Sequence, residues 1–149
     1  MDIVGYDKKY KQAFIDLNMA WLKKYFTPEE GDIAMLYGID EIIKSGGMAF
    51  FALQGETTVS TCLIMPYKNG GREICKFAAD ERFQGMGIGS AVLQKTIDYA
   101  KEMGAKKLVI LSNTILSNAM HLYKKFGFEQ VPITDIQYGR VNIQLEKEL

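Results

Sequence analysis

The tightest constraint on this chain is Ala78 to Ala91, AADERFQGMGIGSA, where alternating glycines stand between an apolar run and an amphipathic one. Upstream, Ile74, Cys75, Phe77, Ala78 and Ala79 read as a short buried strand. Downstream, Ile88, Val92, Thr96, Tyr99 and Met103 recur every three or four residues, and Leu93, Ile97 and Ala100 widen that stripe. Gln94, Asp98, Lys101 and Glu102 take the opposite face. Gly85, Gly87 and Gly89 therefore join a strand end to a helix start. The first amides of a helix lack intrahelical acceptors, and the macrodipole places about half a positive charge there. Glycine lets a ligand approach such amides closely, so the turn reads as a cradle for a diphosphate.

The rest of the chain arranges itself around this unit. Ile3 and Val4 suggest a brief first strand, and Asp7 can cap a helix with Tyr10, Phe14, Leu17, Trp21 and Tyr25 on one face. That aromatic stripe is either core packing or, at Trp21, Tyr25 and Phe26, the wall of a pocket. Thr27-Pro28-Glu29-Glu30 breaks the helix and opens another, and Ile39 to Lys44 forms a third before Gly46-Gly47. Met48 to Leu53 and Val59 to Met65 read as an antiparallel hairpin, and Glu73 to Ala79 as the strand leading to the cradle. Leu108 to Leu111 is a compact buried strand. Leu116, Ala119, Met120, Tyr123 and Phe126 mark a last helix, stopped by Gly127. Strands near Phe128 to Val131 and Val141 to Leu145 finish a mixed, mostly antiparallel α/β sheet of about seven strands with helices on both faces.

Composition narrows the function classes. The 149 residues suit one domain, expected over 1–149, with a real core. Lys plus Arg equal Asp plus Glu at 18 each, so no overall field favours nucleic acid or an anionic membrane. Cys62 and Cys75 fit no metal or redox spacing and read as small buried hydrophobes, which suits a cytoplasmic setting. No signal peptide and no run of 18 apolar residues is expected. Oligomeric state is open between monomer and homodimer, with an edge strand near Val141 available to pair with a second copy.

The glycine spacing is neither G-x-G-x-x-G nor G-x-x-x-x-G-K-[ST]. Gln84-Gly85-Met86-Gly87-Ile88-Gly89 instead matches [Q/R]-x-x-G-x-[G/A]. With Phe77-Ala78-Ala79-Asp80 before it, and Leu122-Tyr123-Lys124-Lys125-Phe126-Gly127-Phe128 a helix and a strand later, the chain resembles the GNAT N-acetyltransferase superfamily. Leu17-Asn18, Trp21-Leu22, Tyr25-Phe26, Glu29 or Glu30, Asp32, Gly46-Gly47, Glu73 to Lys76, Asn113, Leu116 and Tyr138-x-Arg140 are similar to a bacterial subgroup sometimes fused to MarR-type regulators, and a stand-alone version with no room for a DNA-binding domain is expected here. Leu116 stands where many relatives have Asn, Ser60 where Gly is usual, Glu81 where Pro follows the strand, and Gln144 where Met is frequent.

The resemblance implies acetyl-CoA as cofactor, an amine of a small molecule or peptide as acceptor, and direct transfer without a covalent acyl-enzyme. Amides from Met86 to Ser90, including those of Gly87, Ile88 and Gly89, would hold the pyrophosphate. Backbone at Phe77 and Ala79 would pair with pantetheine like an added strand, which requires the strands at Phe77 and Ile110 to splay. Ala78, Gln84, Gly85, Asn113 and Leu116 complete the cofactor set, although Asn113 equally suits a helix cap. A strand amide could meet the developing oxyanion, a donor whose loss typically costs roughly 2.7–4 kcal/mol of barrier.

Tyr123 is the candidate general acid, protonated at neutral pH because a phenol titrates near about 10. Its spacing also suits plain packing. Glu73 is the candidate base, or else a solvated strand-end carboxylate. Trp21, Tyr25, Glu29, Lys76, Tyr138 and Arg140 are candidates for the acceptor side, with Lys76 facing either the cleft or solvent. Glu29, Glu30 and Asp32 are the carboxylates available to a cationic acceptor. Arg140 could pair with one of them. His121, the only histidine, lies off the helix stripe and reads as solvated.

Overall fold

The computed structural model describes residues 1–149. In chain order it contains β1 (Asp2–Gly5), α1 (Lys11–Tyr25), α2 (Glu30–Tyr37), α3 (Ile39–Lys44), β2 (Met48–Gln54), β3 (Thr57–Pro66) and β4 (Arg72–Ala79). There follow α4 (Ile88–Glu102), β5 (Lys107–Ser112), α5 (Ser117–Lys125), β6 (Glu129–Val131) and β7 (Ile143–Glu148). The seven strands form one sheet in the order β1-β2-β3-β4-β5-β7-β6, antiparallel except for β4 beside β5. No helix is long and apolar enough to cross a membrane.

Alternation along the strands sends successive side chains to two separate cores. From β2, Phe50 and Ala52 join Val92, Leu93 and Ile97 of α4 and Tyr123 of α5 on one face. Ala49 and Phe51 meet Phe14, Ile15 and Leu22 of α1, with Leu36 of α2, on the other. Phe51 is wholly buried, with Tyr10 stacked on it at 5.2 Å and Phe14 edge-on at 6.3 Å. Burying one such side chain contributes about 1.5–3 kcal/mol.

The expected stripe of α1 is rotated. Its buried line is Phe14, Ile15, Asn18 and Leu22, while Leu17 and Trp21 are half-buried and Tyr25 is exposed. Choosing the aromatics over Ile15 and Leu22 misplaced the face by about one position, which 3.6-residue spacing makes easy in a helix apolar on two sides. The last strand also begins later than expected, at Ile143, with Val141 and Asn142 in the preceding loop. It lies between β5 and β6, so the open edges of the sheet belong to β1 and β6. An unpaired edge near Val141 for a second copy does not exist.

Two features of β4 create space. Its ladder with β5 has only two rungs, Arg72 with Leu108 and Glu73 with Val109, after which the strands part as anticipated. Its ladder with β3 shifts register: Thr61 faces Ala78 while Leu63 faces Cys75, so Lys76 and Phe77 oppose the single residue Cys62. This is a β-bulge. Lys76 adopts φ 48° to make it, a conformation uncommon for a side-chain-bearing residue and found mostly where the surroundings enforce it.

Candidate active site

The wedge between β4 and β5 opens into a cavity of about 300 Å³. It is walled by β4 from Glu73 to Ala79, by β5 and the following loop from Ile110 to Asn113, by the end of α1, by α5, and by the loop carrying Gln137, Tyr138 and Arg140. Most residues singled out from sequence meet here: Trp21, Tyr25, Glu73, Lys76, Phe77, Ala78, Ala79, Gln84, Asn113, Leu116, Tyr123, Tyr138 and Arg140 all line it. Glu29 stands behind Arg140, and Gly85 to Ser90 form the adjoining turn.

That turn has an unusual hydrogen-bond balance. Asp80 caps a single 3-10 turn at Glu81–Phe83, accepting from the Arg82 amide at 3.0 Å. Gln84 donates to Glu81, and the next backbone amide with an acceptor is Ala91, bonded to Gly87 at 3.1 Å. The six amides from Gly85 to Ser90 therefore donate to no backbone carbonyl, and no side chain caps α4. Gly85 and Gly87 both have φ 76°, which an L side chain adopts only with strain. Gly87 is the N-cap, with open space where a Cβ would be, so glycine is required for its dihedral rather than for room. Ile88 points its side chain into the core, 4% exposed, leaving its amide as the group it offers. Six unpaired donors at the positive end of a 15-residue helix fit a diphosphate.

Glu73 is 5% exposed and receives a hydrogen bond from Gln137 Nε2 at 3.1 Å. Burial raises its pKa from 4.5, opposed by the Gln137 bond and reinforced by the nearby Asp135 charge. It is therefore not the solvated strand-end carboxylate that sequence also allowed, because β4 begins one residue earlier and carries it inward. Gln137 is a neighbour the sequence did not signal. It sits in an irregular loop, and 64 residues separate it from its partner.

Tyr123 is 5% exposed, its ring 6.3 Å from Phe77 and 6.0 Å from Phe128. Burial, with the Cys62 and Cys75 thiols nearby, raises its pKa, so the phenol stays protonated well beyond neutral pH. Thr61 carries the one side-chain polar atom sealed off without a partner. The Tyr123 hydroxyl, which has no protein partner either, thus keeps access to the cavity that Tyr123 lines.

Lys76 turns into the cleft, not toward solvent, and its ammonium lies 2.5 Å from Asp32 Oδ1. Arg140 grips the same carboxylate with Nη2 on Oδ1 at 2.6 Å and Nη1 on Oδ2 at 2.8 Å. Asp32 also accepts from the Glu29 amide at 2.9 Å in a reciprocal capping box at the start of α2. Burial alone would raise the Asp32 pKa, but the bonds from Arg140, Lys76 and the Glu29 amide bring it down to about 2. Asp32 is fully occupied inside the protein and is not a free carboxylate for a cationic acceptor. The Tyr138 ring flanks both cations, its centroid 4.8 Å from Lys76 Nζ and 4.2 Å from Arg140 Cζ.

Asn113 donates to the Arg140 carbonyl at 2.7 Å and accepts from the Ile115 amide at 2.9 Å. It fixes the Tyr138–Arg140 loop to the end of β5 and turns the chain toward α5, bonding no amide of α5 itself. Cys62 and Cys75 are free thiols; burial pushes Cys62 up to about 12 and Cys75 also well above its ordinary value. Neither is disposed to act as a nucleophile. His121 is exposed on α5 and does not line the cavity, as expected.

A profile of the acetyltransferase (GNAT) family matches residues 15–128. The chain belongs to that family. It is similar to the spermine/spermidine N(1)-acetyltransferase of Bacillus subtilis, 38% identical over 65 residues, which covers 42% of this chain and 41% of the relative. The chain spans less than half the length of the curated relatives it matches. Among solved structures, a GNAT-family acetyltransferase from Staphylococcus aureus Mu50 superposes with TM-score 0.89 at 20% identity, covering 99% of this chain and 98% of the other. The protein yncA of Salmonella typhimurium, solved with acetyl-CoA, superposes with TM-score 0.76 at 18% identity, covering 99% and 93%. At these identities the superpositions speak for the fold. The GNAT chain's open amides and splayed strands lie within that fold.

Proposed function

We propose that this GNAT chain is an acetyl-CoA-dependent N-acetyltransferase that acts on a primary amine of a small molecule or peptide by direct attack within a ternary complex. The observation that carries the reading is the run of unbonded amides from Gly85 to Ser90 at the mouth of the β4–β5 wedge. Those amides would hold the pyrophosphate, with Gln84 and Leu116 beside the arm. The unpaired edge of β4 at Phe77, Ala78 and Ala79 would hold the pantetheine by strand-like bonding. Acetyl-CoA supplies an activated acetyl group as its thioester. Trp21, Lys76 and Arg140, which line the same cavity, would form the acceptor side.

The chain's own residues then divide the proton work. Glu73 takes a proton from the acceptor, and its raised pKa brings it closer to an amine and makes that transfer less uphill. Tyr123, protonated and unpartnered, can donate to the departing thiolate. Each contribution of this kind is worth about 10²–10⁴-fold in rate. The test is a thiol-release assay with purified protein, acetyl-CoA and a panel of amines. Amine-dependent release supports the reading. CoA binding without turnover on any amine would replace it with a non-catalytic acyl-CoA-binding module.

A further inference from the structure

On the acceptor wall two cations, Lys76 and Arg140, share one sealed carboxylate, Asp32. Lys76 and Arg140 both line the cavity and both direct their short bonds to Asp32, which is 0% exposed. With the Glu29 amide, that carboxylate accepts four hydrogen bonds, which is about its capacity. The Glu29 carboxylate meets Arg140 at 3.3 Å, but its side chain is 43% exposed and water screens the pair. The Tyr138 ring offers both cations a π face and no counter-charge. An ammonium has three donors, and Lys76 spends one of them on a carboxylate while its side chain is 5% exposed. Arg140 likewise keeps its Nε without a carboxylate partner. Neither cation is a sealed orphan, so the donors they keep free are open to the cavity both residues line, where an anion can accept from them.

We propose that the acceptor amine also carries a carboxylate, which binds against Lys76 and Arg140 while the amine lies toward Glu73. This rests on the N-acetyltransferase reading, since it names the acceptor of that same site. Glu73 and Lys76 are three residues apart on β4 and line the same cavity, so one small molecule can address both. Trp21, Tyr25 and Phe26, with ring centroids 5.6 Å and 5.7 Å from Trp21, furnish an aromatic wall for an apolar body. The acceptor class is therefore an amino acid with an apolar or aromatic side chain. A polyamine would bring a further cation to a wall where two already share one sealed carboxylate.

The experiment uses matched pairs differing only in the carboxylate: phenylalanine with phenethylamine, and leucine with isoamylamine. Thiol release with acetyl-CoA gives kcat/KM for each, and calorimetry of 3-phenylpropionate against the protein saturated with CoA reads carboxylate binding without turnover. The carboxylate-bearing member of each pair is expected to have a kcat/KM at least about tenfold higher, chiefly through KM. Lys76→Met is expected to narrow that gap and to weaken 3-phenylpropionate. Equal or faster turnover of the decarboxylated partners, or of spermidine, overturns the proposal and leaves the N-acetyltransferase reading standing. Binding of 3-phenylpropionate with no turnover of any amine overturns the N-acetyltransferase reading and the acceptor assignment with it, leaving only a carboxylate-binding site. Failure of 3-phenylpropionate to bind the wild-type protein overturns the proposal however the variant behaves.

Discussion

Lys76 Nζ lies 2.5 Å from Asp32 Oδ1, an ion pair in which the carboxylate is wholly buried and the lysine side chain is 5% exposed. The pair joins the bulge of β4 to the first turn of α2, and Arg140 closes it from the loop before β7. Lys76 and Arg140 are both positioned through this one carboxylate.

Asp32→Asn is expected to destabilise the fold by about 3–5 kcal/mol, because two buried cations lose their counter-ion while their desolvation cost remains. The acid side of the stability profile follows from the same group. Its folded pKa of about 2 lies below the ordinary 3.8, so the stabilisation is complete above that ordinary value and is lost as the pH falls toward 2. The amount is roughly 2 kcal/mol. Glu73 acts in the opposite sense: its raised pKa favours the folded state below 4.5 and disfavours it as the pH rises through the folded value. Calorimetric melting of wild type and Asp32→Asn between pH 2 and pH 6 checks both points, the variant showing the smaller acid loss.

Glu73→Gln is expected to lower kcat by about 10²-fold or more while leaving acetyl-CoA affinity unchanged. In the wild type the acidic limb of the kcat profile should fall above the ordinary carboxylate value, because burial raises this group. The variant should lose that limb. A wild-type limb that persists in the variant would move the base elsewhere.

The sheet and the cradle were legible in the sequence because each rests on short-range signals. Alternation marks the strands, three- and four-residue spacing marks α4, and glycines at Gly85 and Gly87 mark positive φ. The acceptor-side residues could be named from sequence, but the contacts that assemble them were not legible, for a physical reason. Asp32 reads as one of three acidic residues at a helix start, and its partner Arg140 lies 108 residues away in an irregular loop. Nothing local distinguishes it from Glu29 and Glu30. Lys76 sits in an apparently regular alternation with Cys75 and Phe77, and the bulge that turns it inward depends on register against β3. Gln137 and Asn113 likewise act through contacts 64 and 27 residues distant.

Tyr123→Phe removes only the hydroxyl, which makes no hydrogen bond inside the protein, so the melting temperature should barely move. Turnover is expected to fall by about 10²-fold with the affinity for acetyl-CoA unchanged. Steady-state kinetics beside calorimetry separates the two. Unaltered turnover would reduce Tyr123 to a packing residue between Phe77 and Phe128.

Gly87→Ala places a Cβ in open space but forces an L residue to φ 76°. The strain of about 1–2 kcal/mol should appear as lower stability or as a rearranged turn. A rearranged turn, which relieves the strain by rotating the amides away, predicts CoA binding weaker by about tenfold. Titration calorimetry of the variant reads this directly, and unchanged affinity would mean that the turn's shape is immaterial to the ligand.

The most direct test of the whole account is amide-resolved NMR of the ¹⁵N-labelled protein titrated with CoA and, separately, with pantetheine, which lacks the pyrophosphate. CoA should shift the amide signals from Gly85 to Ser90 together, and pantetheine should leave those signals in place while perturbing Phe77 to Ala79. Signals of Gly85 to Ser90 that stay unmoved at saturating CoA would contradict it.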